Sequence, residues 1–380
     1  VTLHEYFVHL LQSALTGDRP LPKPDTLTWQ EIYAMAKKHS LTTMVLQAAN
    51  VFSHELNDGL YEKWLDRSTK LVAKFVNQEF EESRLSDLLE NAKIPHMLLK
   101  GAWVRNLFPS PQLREMSDID ILIPASMATK AHDLVVSDGY VFKEECTTSH
   151  NTEYVKKPYL ILELHTAMLP LESRQSDYYE DIWSKTTKIS DYRHELSVEQ
   201  QFIYCIAHMH KHYIYCGIGI RSVLDIFVLL KAYCNQFDIE TIRNEFKKLG
   251  MEQFAEAVCH IALAWFGKKE YKLTASEQEI AEDILNSETY GNRSSRTEHI
   301  LKNEMNQGKS MLSAKRSYLR RRMFPDYNYM KGVFPRMMKS PILLPVGWVA
   351  RWGKGLFTKK DSMKKELIEL REAEKKMERR

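Results

Sequence analysis

Apolar positions recur every three or four residues along most of the chain, and the period shortens in one central stretch. Up to residue 93 the spacing is helical. "LHEYFVHLLQSAL" gathers its apolar residues on one face of a 3.6-residue period. "GDRPLPKPD", with Pro20, Pro22 and Pro24, marks a loop. Thr28 and Glu31 stand at capping-box spacing ahead of "WQEIYAMAKKH". A long charged and apolar pattern then runs from "DGLYEKWLDRS" to "RLSDLLENAK".

From Ile94 the character changes. "HMLLKG" reads as a strand closed by Gly101, "AWVRNLF" as a short helix stopped by "PSP", and "SDIDILIP" as a second strand closed by Pro124. "MATKAHDLVVSDGY" is a helix with Gly139 at its end. "YVFKEECTT", "NTEYVKK" and "YLILELHTAM" have strand-like content. After Pro170 the helical period returns, with Ser197 and Gln200 capping "VEQQFIYCIAHMHKHY" and Thr274 and Glu277 preceding "ASEQEIAEDILN". The pattern predicts an α+β protein: a small mixed sheet flanked by N- and C-terminal helical regions. The divisions are 1–93 helical, 94–170 an α/β core, 171–300 helical, and 301–380 a basic C-terminal region.

Charge sharpens the last division. Net charge is +3, yet residues 301–380 hold 21 Lys and Arg against 8 Asp and Glu, while residues 1–300 hold 32 against 42. Such a tail either is a solvated helix or faces an anionic neighbour. Within it, "SPILLPVGWVARWGKGLF" is too short and interrupted to span a bilayer, which takes about 18–20 apolar residues. Its apolar residues and tryptophans, flanked by Arg351, Lys354, Lys359 and Lys360, suit either peripheral membrane contact through 341–360 or packing back as core; Pro341 and Pro345 favour packing. "RSYLRRRMF" mixes basic and aromatic residues but has no nucleic-acid signature around it. The five cysteines show no metal-ligand or disulfide spacing, and the opening residues read as an amphipathic helix, not a signal peptide. The expected location is cytoplasmic, with peripheral contact at the inner membrane face as the extension of the tail reading.

The candidate chemistry lies in the central stretch. Residues two apart in a strand share a face, so Asp118 and Asp120 project together while Ile119, Ile121 and Ile123 fill the other face. Two carboxylates so close in apolar surroundings call for a positive charge between them. A hard divalent cation, Mg²⁺ with Mn²⁺ as a substitute, takes such oxygen ligands. "ILELHT" offers Glu163 as a third acid, with His165 on the same face as a candidate for nucleotide or phosphate binding. Lys100 and Gly101 sit at a strand-to-helix turn suited to a phosphate, and Arg114 lies four residues before Asp118, placed for a phosphate or for the acids themselves. His208 and His212 share a helix face but lack the acid of a zinc motif. Arg221 and Asp225, also four apart, read as an ion pair or as pocket lining.

The order "LLKG … FPSPQLREMSDIDILIP … LELHTAM" resembles the uncharacterised nucleotidyltransferase family of bacteria, a branch of the DNA polymerase beta-like nucleotidyltransferase superfamily often associated with polysaccharide gene clusters. "LSVEQQFIYCIAHMHKH", "GIGIRSVLDIFVLL" and "FPDYNYMKGVFPRMMKSPILLPVGWVARW" extend the likeness over most of the chain. The resemblance implies an NTP substrate and Mg²⁺, with Gly101 on the family's glycine, Asp118 and Asp120 on its paired acids, and Glu163 on its third acid. The chain departs from the superfamily in having Lys100-Gly101-Ala102 where a Gly-Ser pair is usual, so phosphate falls to backbone, Lys100 or Arg114. The expected function is transfer of a nucleoside monophosphate from an NTP to a glycan, small molecule or protein, with release of pyrophosphate. The alternative is a catalytically degenerate nucleotide-binding or scaffold protein of a polysaccharide-synthesis system.

Overall fold

A computed structural model describes residues 1–143, 150–171, 173, 175–268, 271–289, 297, 300–301, 304–305, 308–327, 329–330, 334, 337–358, 368, 370–371 and 375. Part of "YVFKEECTT" and most of the closing "DSMKKELIELREAEKKMERR" lie outside the described residues.

The N-terminal helices are α1 (Leu3–Thr16), α2 (Trp29–Lys38), α3 (Thr42–Ala49) and α4 (Asp58–Asn91). Thr28 and Glu31 form the expected reciprocal capping box on α2. The long mixed pattern is one continuous helix, α4, of 34 residues. The sheet follows, with strands β1 (Met97–Leu98), β2 (Ile119–Leu122), β3 (Val141–Lys143), β4 (Asn151–Lys156) and β5 (Leu160–His165) in the order β1-β2-β5-β4-β3. β2 and β5 run parallel, and the other pairs are antiparallel. Between the strands lie α5 (Gly101–Val104), a single turn, and α6 (Ala128–Ser137).

Strand alternation divides the sheet into two faces. Ile119 and Ile121 of β2, Ile123 just after it, and Leu160, Leu162 and Leu164 of β5 pack with Leu85 and Leu89 of α4 and Ala131 and Val135 of α6 in a small core. The opposite face of β2 and β5 looks toward α7 (Val198–Tyr215) and α8 (Ile220–Tyr233) across a cavity. A larger core joins α1–α3 to α7, α8 and α10, so both helical regions contribute to it. α9 (Ile239–Lys248), α10 (Glu252–Phe266) and α11 (Ala275–Asn286) continue the bundle, with the Thr274–Glu277 capping box formed on α11.

Two expectations are corrected. The chain does not return directly to helix after Pro170: β6 (Thr186–Lys188) and β7 (His194–Leu196) form a small hairpin first, joined to the sheet region through the His96–Arg193 bridge. Strands of three residues are set by backbone pairing, so their side-chain pattern is too short to register. The apolar tail segment packs back only in part, with Gly347 buried against Met330 and Met338, and Trp348 and Trp352 against Phe324. After α12 (Met311–Met323), the helix α13 (Leu344–Thr358) takes Pro345 in its first turn, where a missing N–H costs nothing. Its Trp348 and Trp352 donate indole N–H groups to Pro325 O and Met323 O, both at 2.8 Å. Ile342 is 87% exposed, and Val346 and Val349 are 57% and 63% exposed. No helix among the described residues is long and apolar enough to cross a membrane.

Candidate active site

The cavity, of about 320 Å³, lies between the polar face of β2 and β5 and the helices α7 and α8. In the parallel register, Asp120 stands opposite Glu163, so two carboxylates meet side by side on neighbouring strands. His165 follows two residues after Glu163 on the same face. Donor atoms of Asp120, Glu163 and His165 all lie within 4.8 Å of one another. Asp118 sits just before β2 and lines the same cavity.

The polar bonds there are asymmetric. Lys100 Nζ donates to Asp120 Oδ1 at 3.2 Å, and His165 Nε2 donates to the same oxygen at 2.7 Å. Asp120 Oδ2 and the Asp118 carboxylate accept no hydrogen bond from a described residue. Glu163 Oε2 receives Asn151 Nδ2 at 2.5 Å and lies 3.2 Å from His165 Nε2. His165 Nδ1 is buried with no partner among the described residues.

These contacts decide the charge states. Burial raises the pKa of Asp120, but the Lys100 charge and the His165 bond outweigh it and hold this carboxyl well below the usual range. Glu163 is likewise lowered, burial being offset by its bond to His165. Asp118 has no such partner: burial, then the charges of Asp120 and Glu163, push it up to about 6. Burial would discharge Lys100, yet Asp120, with Asp118 and Glu163 beyond it, keeps its pKa raised.

The donor set could hold a divalent metal ion. Two carboxylates and an imidazole converge, and Asp118 is a nearby carboxylate whose pKa is raised by burial and by the neighbouring acids. The residues that would hold it are Asp120 and Glu163, with Asp118 and His165 adjacent.

The other sequence candidates fare differently. Lys100 reaches the site from a strained backbone, with φ +44° and ψ −109° for a residue that has a Cβ. Its ammonium donates to Asp120 Oδ1, and the residue lines the cavity. The sequence placed Gly101 for phosphate approach; the structure gives it a steric reason of its own, since a Cβ there would lie 2.6 Å from Arg114 Nη1. Arg114, expected near phosphate or the acids, forms a two-point pair with Asp225, Nε to Oδ1 and Nη2 to Oδ2 at 2.7 Å each. The expected alternative of an Arg221–Asp225 pair is not formed. Arg221 Nη1 donates instead to Glu115 O at 2.7 Å, because the guanidinium edge of Arg114 matches both oxygens of Asp225 at once.

Several residues escaped the sequence reading. Asn151 of β4 and His150 before it enter the cavity, and so does Lys211 of α7. Glu115 Oε1 accepts the backbone N–H of Thr42 and, at 3.2 Å, of Thr43, and so caps α3 from 72 residues away. A cap supplied from a distant loop has no local signature, whereas the i, i+3, i+4 set His208, Lys211, His212 was open to a helical-face count.

Among solved structures, that of the antibiotic-resistance factor ANT(2'')-Ia is similar to 49% of this chain and 97% of its own, at 12% identity and a TM-score of 0.33. No curated protein matches. Residues 25–267, which contain the whole sheet, the acidic cluster and both cavity helices, match the model of the uncharacterised nucleotidyltransferases, and the chain belongs to that family.

Proposed function

We propose that the protein moves a nucleoside monophosphate from an NTP to an acceptor (a glycan, small molecule or protein group) and releases pyrophosphate, with the cavity between the sheet and α7–α8 as its active site. The observation that carries this reading is the register of Asp120 against Glu163, with the unpartnered Asp118 beside them. Bound there, Mg²⁺ or Mn²⁺ would neutralise the phosphates and activate the acceptor oxygen. The chain's own residues prepare that position. Lys100 and His165 hold Asp120 ionised, and Asn151 and His165 fix the Glu163 carboxylate, so both acids face the cavity as acceptors only. Glu163 is then placed to orient the acceptor hydroxyl. Arg114, tied to Asp225, keeps the cavity wall in place behind Gly101.

The test is pyrophosphate release by the purified protein with Mg²⁺ and each NTP, alone and with a cell lysate as acceptor source. Release that depends on Asp120 supports the assignment. Nucleotide binding with no release under any condition leaves the non-catalytic alternative.

The tail supports a second part of the proposal: peripheral contact with an anionic membrane surface. Ile342, Val346 and Val349 follow i, i+4, i+7 spacing and are all exposed, while exposed Arg316 and Arg320 lie on the neighbouring α12. The side chains of Lys354, Lys359 and Lys360 lie outside the described residues. Since Trp348 and Trp352 face inward, the informative variant is Ile342→Ser with Val346→Ser. Flotation with anionic but not neutral vesicles, weakened by salt and by this variant, is expected. Protein that stays at the bottom of the gradient with anionic vesicles removes membrane contact from the proposal.

A further inference from the structure

The cavity has a second wall that the acids leave unexplained. α7 turns His208, Lys211 and His212 into it, one turn of side chains facing the carboxylates of β2 and β5. His208 Nε2 and His212 Nε2 lie 3.2 Å apart, hydrogen-bonded to each other, with Cys216 Sγ 3.7 Å from His212 Nδ1. Burial lowers both imidazoles well below their ordinary range, so they are neutral. Lys211 forms no hydrogen bond or ion pair with a described residue. Burial, then the Lys100 charge, pulls it down to about 8, while Asp120 and Glu163 oppose that shift from across the cavity. A half-buried lysine among neutral imidazoles is an unfavourable place for a cation unless an anion completes it.

We infer that Lys211 binds the phosphate tail of the nucleotide, opposite the acids that face its metal-bound side. The inference rests on reading the cavity as a nucleotide site, and it assigns the phosphate role to α7 in place of Lys100 and Arg114, both of which are held by carboxylates. A magnesium triphosphate has one face that seeks oxygen ligands and another that seeks ammonium and N–H donors. The cavity offers these on opposite walls.

The experiment is calorimetric titration of the full chain with inorganic tripolyphosphate in Mg²⁺ buffer, with adenosine as the phosphate-free control. Lys211→Met is expected to weaken tripolyphosphate binding by about tenfold or more, with adenosine binding unchanged. Lys211→Arg should restore most of the affinity. The thermal midpoint of Lys211→Met should equal or exceed that of the unsubstituted protein, because an unpaired cation has been removed; this separates lost binding from lost folding. Equal tripolyphosphate affinity in Lys211→Met, or no tripolyphosphate binding by the unsubstituted chain, overturns the inference. Lys211-dependent binding without pyrophosphate release from any NTP would overturn the transfer reaction alone.

Discussion

Two groups of charges border the same cavity and are built on opposite principles. At the α5–α8 wall, Arg114 meets Asp225 through two bonds of 2.7 Å, and deeper in the structure Arg105 Nη2 meets Glu82 Oε2 at 2.7 Å. Arg114 and Arg105 each have a carboxylate, and Arg221 of α8 donates to the Glu115 carbonyl. At the sheet, Asp118, Asp120 and Glu163 share Lys100 and His165 among three acids, and Asp118 goes without. A protein can bury matched charges as scaffold. Where acids outnumber the cations that contact them, as at the sheet, a ligand of the other sign can complete the group. The difference separates the paired scaffold from the proposed site.

The comparison breaks most sharply at Asp120. Asp120→Asn should lower pyrophosphate release by about a thousandfold or more, since the central acid of the proposed metal site is lost. Its folding is to be followed alongside, because Lys100 then faces a neutral amide. Chelation with EDTA should abolish release, and Mg²⁺ or Mn²⁺ should restore it. Activity at the unsubstituted level in Asp120→Asn would move the site elsewhere.

The scaffold group should respond in stability. Arg114→Ala leaves Asp225 half-buried without its partner, and a loss of about 3–5 kcal/mol is expected in urea unfolding. Arg114→Lys keeps the charge but not the two-point geometry, and should recover part of that loss.

Asp118 gives the opposite sign. Its folded pKa of about 6 lies above the ordinary carboxylate value, so its protonated form favours the folded state. That contribution is fully present below pH 4 and is lost as the pH rises through about 6. In chelator, Asp118→Asn should therefore be more stable than the unsubstituted protein at pH 7, by about 1–3 kcal/mol, and nearly equal to it at pH 4. A stability difference that does not change between these pH values would show that the Asp118 pKa is not raised in the folded protein.

The smallest effect belongs to Glu115, whose carboxylate caps α3. Glu115→Gln keeps an acceptor and should cost less than Glu115→Ala, which is expected to lose about 1–2 kcal/mol by chemical denaturation.

Local rules of period and capping wrote much of the fold into the sequence. Thr28 and Glu31, and Thr274 and Glu277, cap the helices they precede because their bonds span three residues. Isoleucines at 119, 121 and 123 put Asp120 on the other face because a strand alternates. Asp120 and Glu163 could be placed on one face for the same reason, since each lies in a strand whose other face is plainly apolar, while Asp118 falls just before β2. What the tertiary structure alone decided are the pairings between distant segments: the β2–β5 register that sets Asp120 against Glu163, the choice of Arg114 over Arg221 for Asp225, and the entry of Lys211 into the cavity. The tail shows the same limit. Its apolar residues were evident, but which of them face the protein was settled by Trp348 and Trp352 bonding to carbonyls of Pro325 and Met323, leaving Ile342, Val346 and Val349 outward. Periodicity states which residues share a face; only long-range packing states what that face meets.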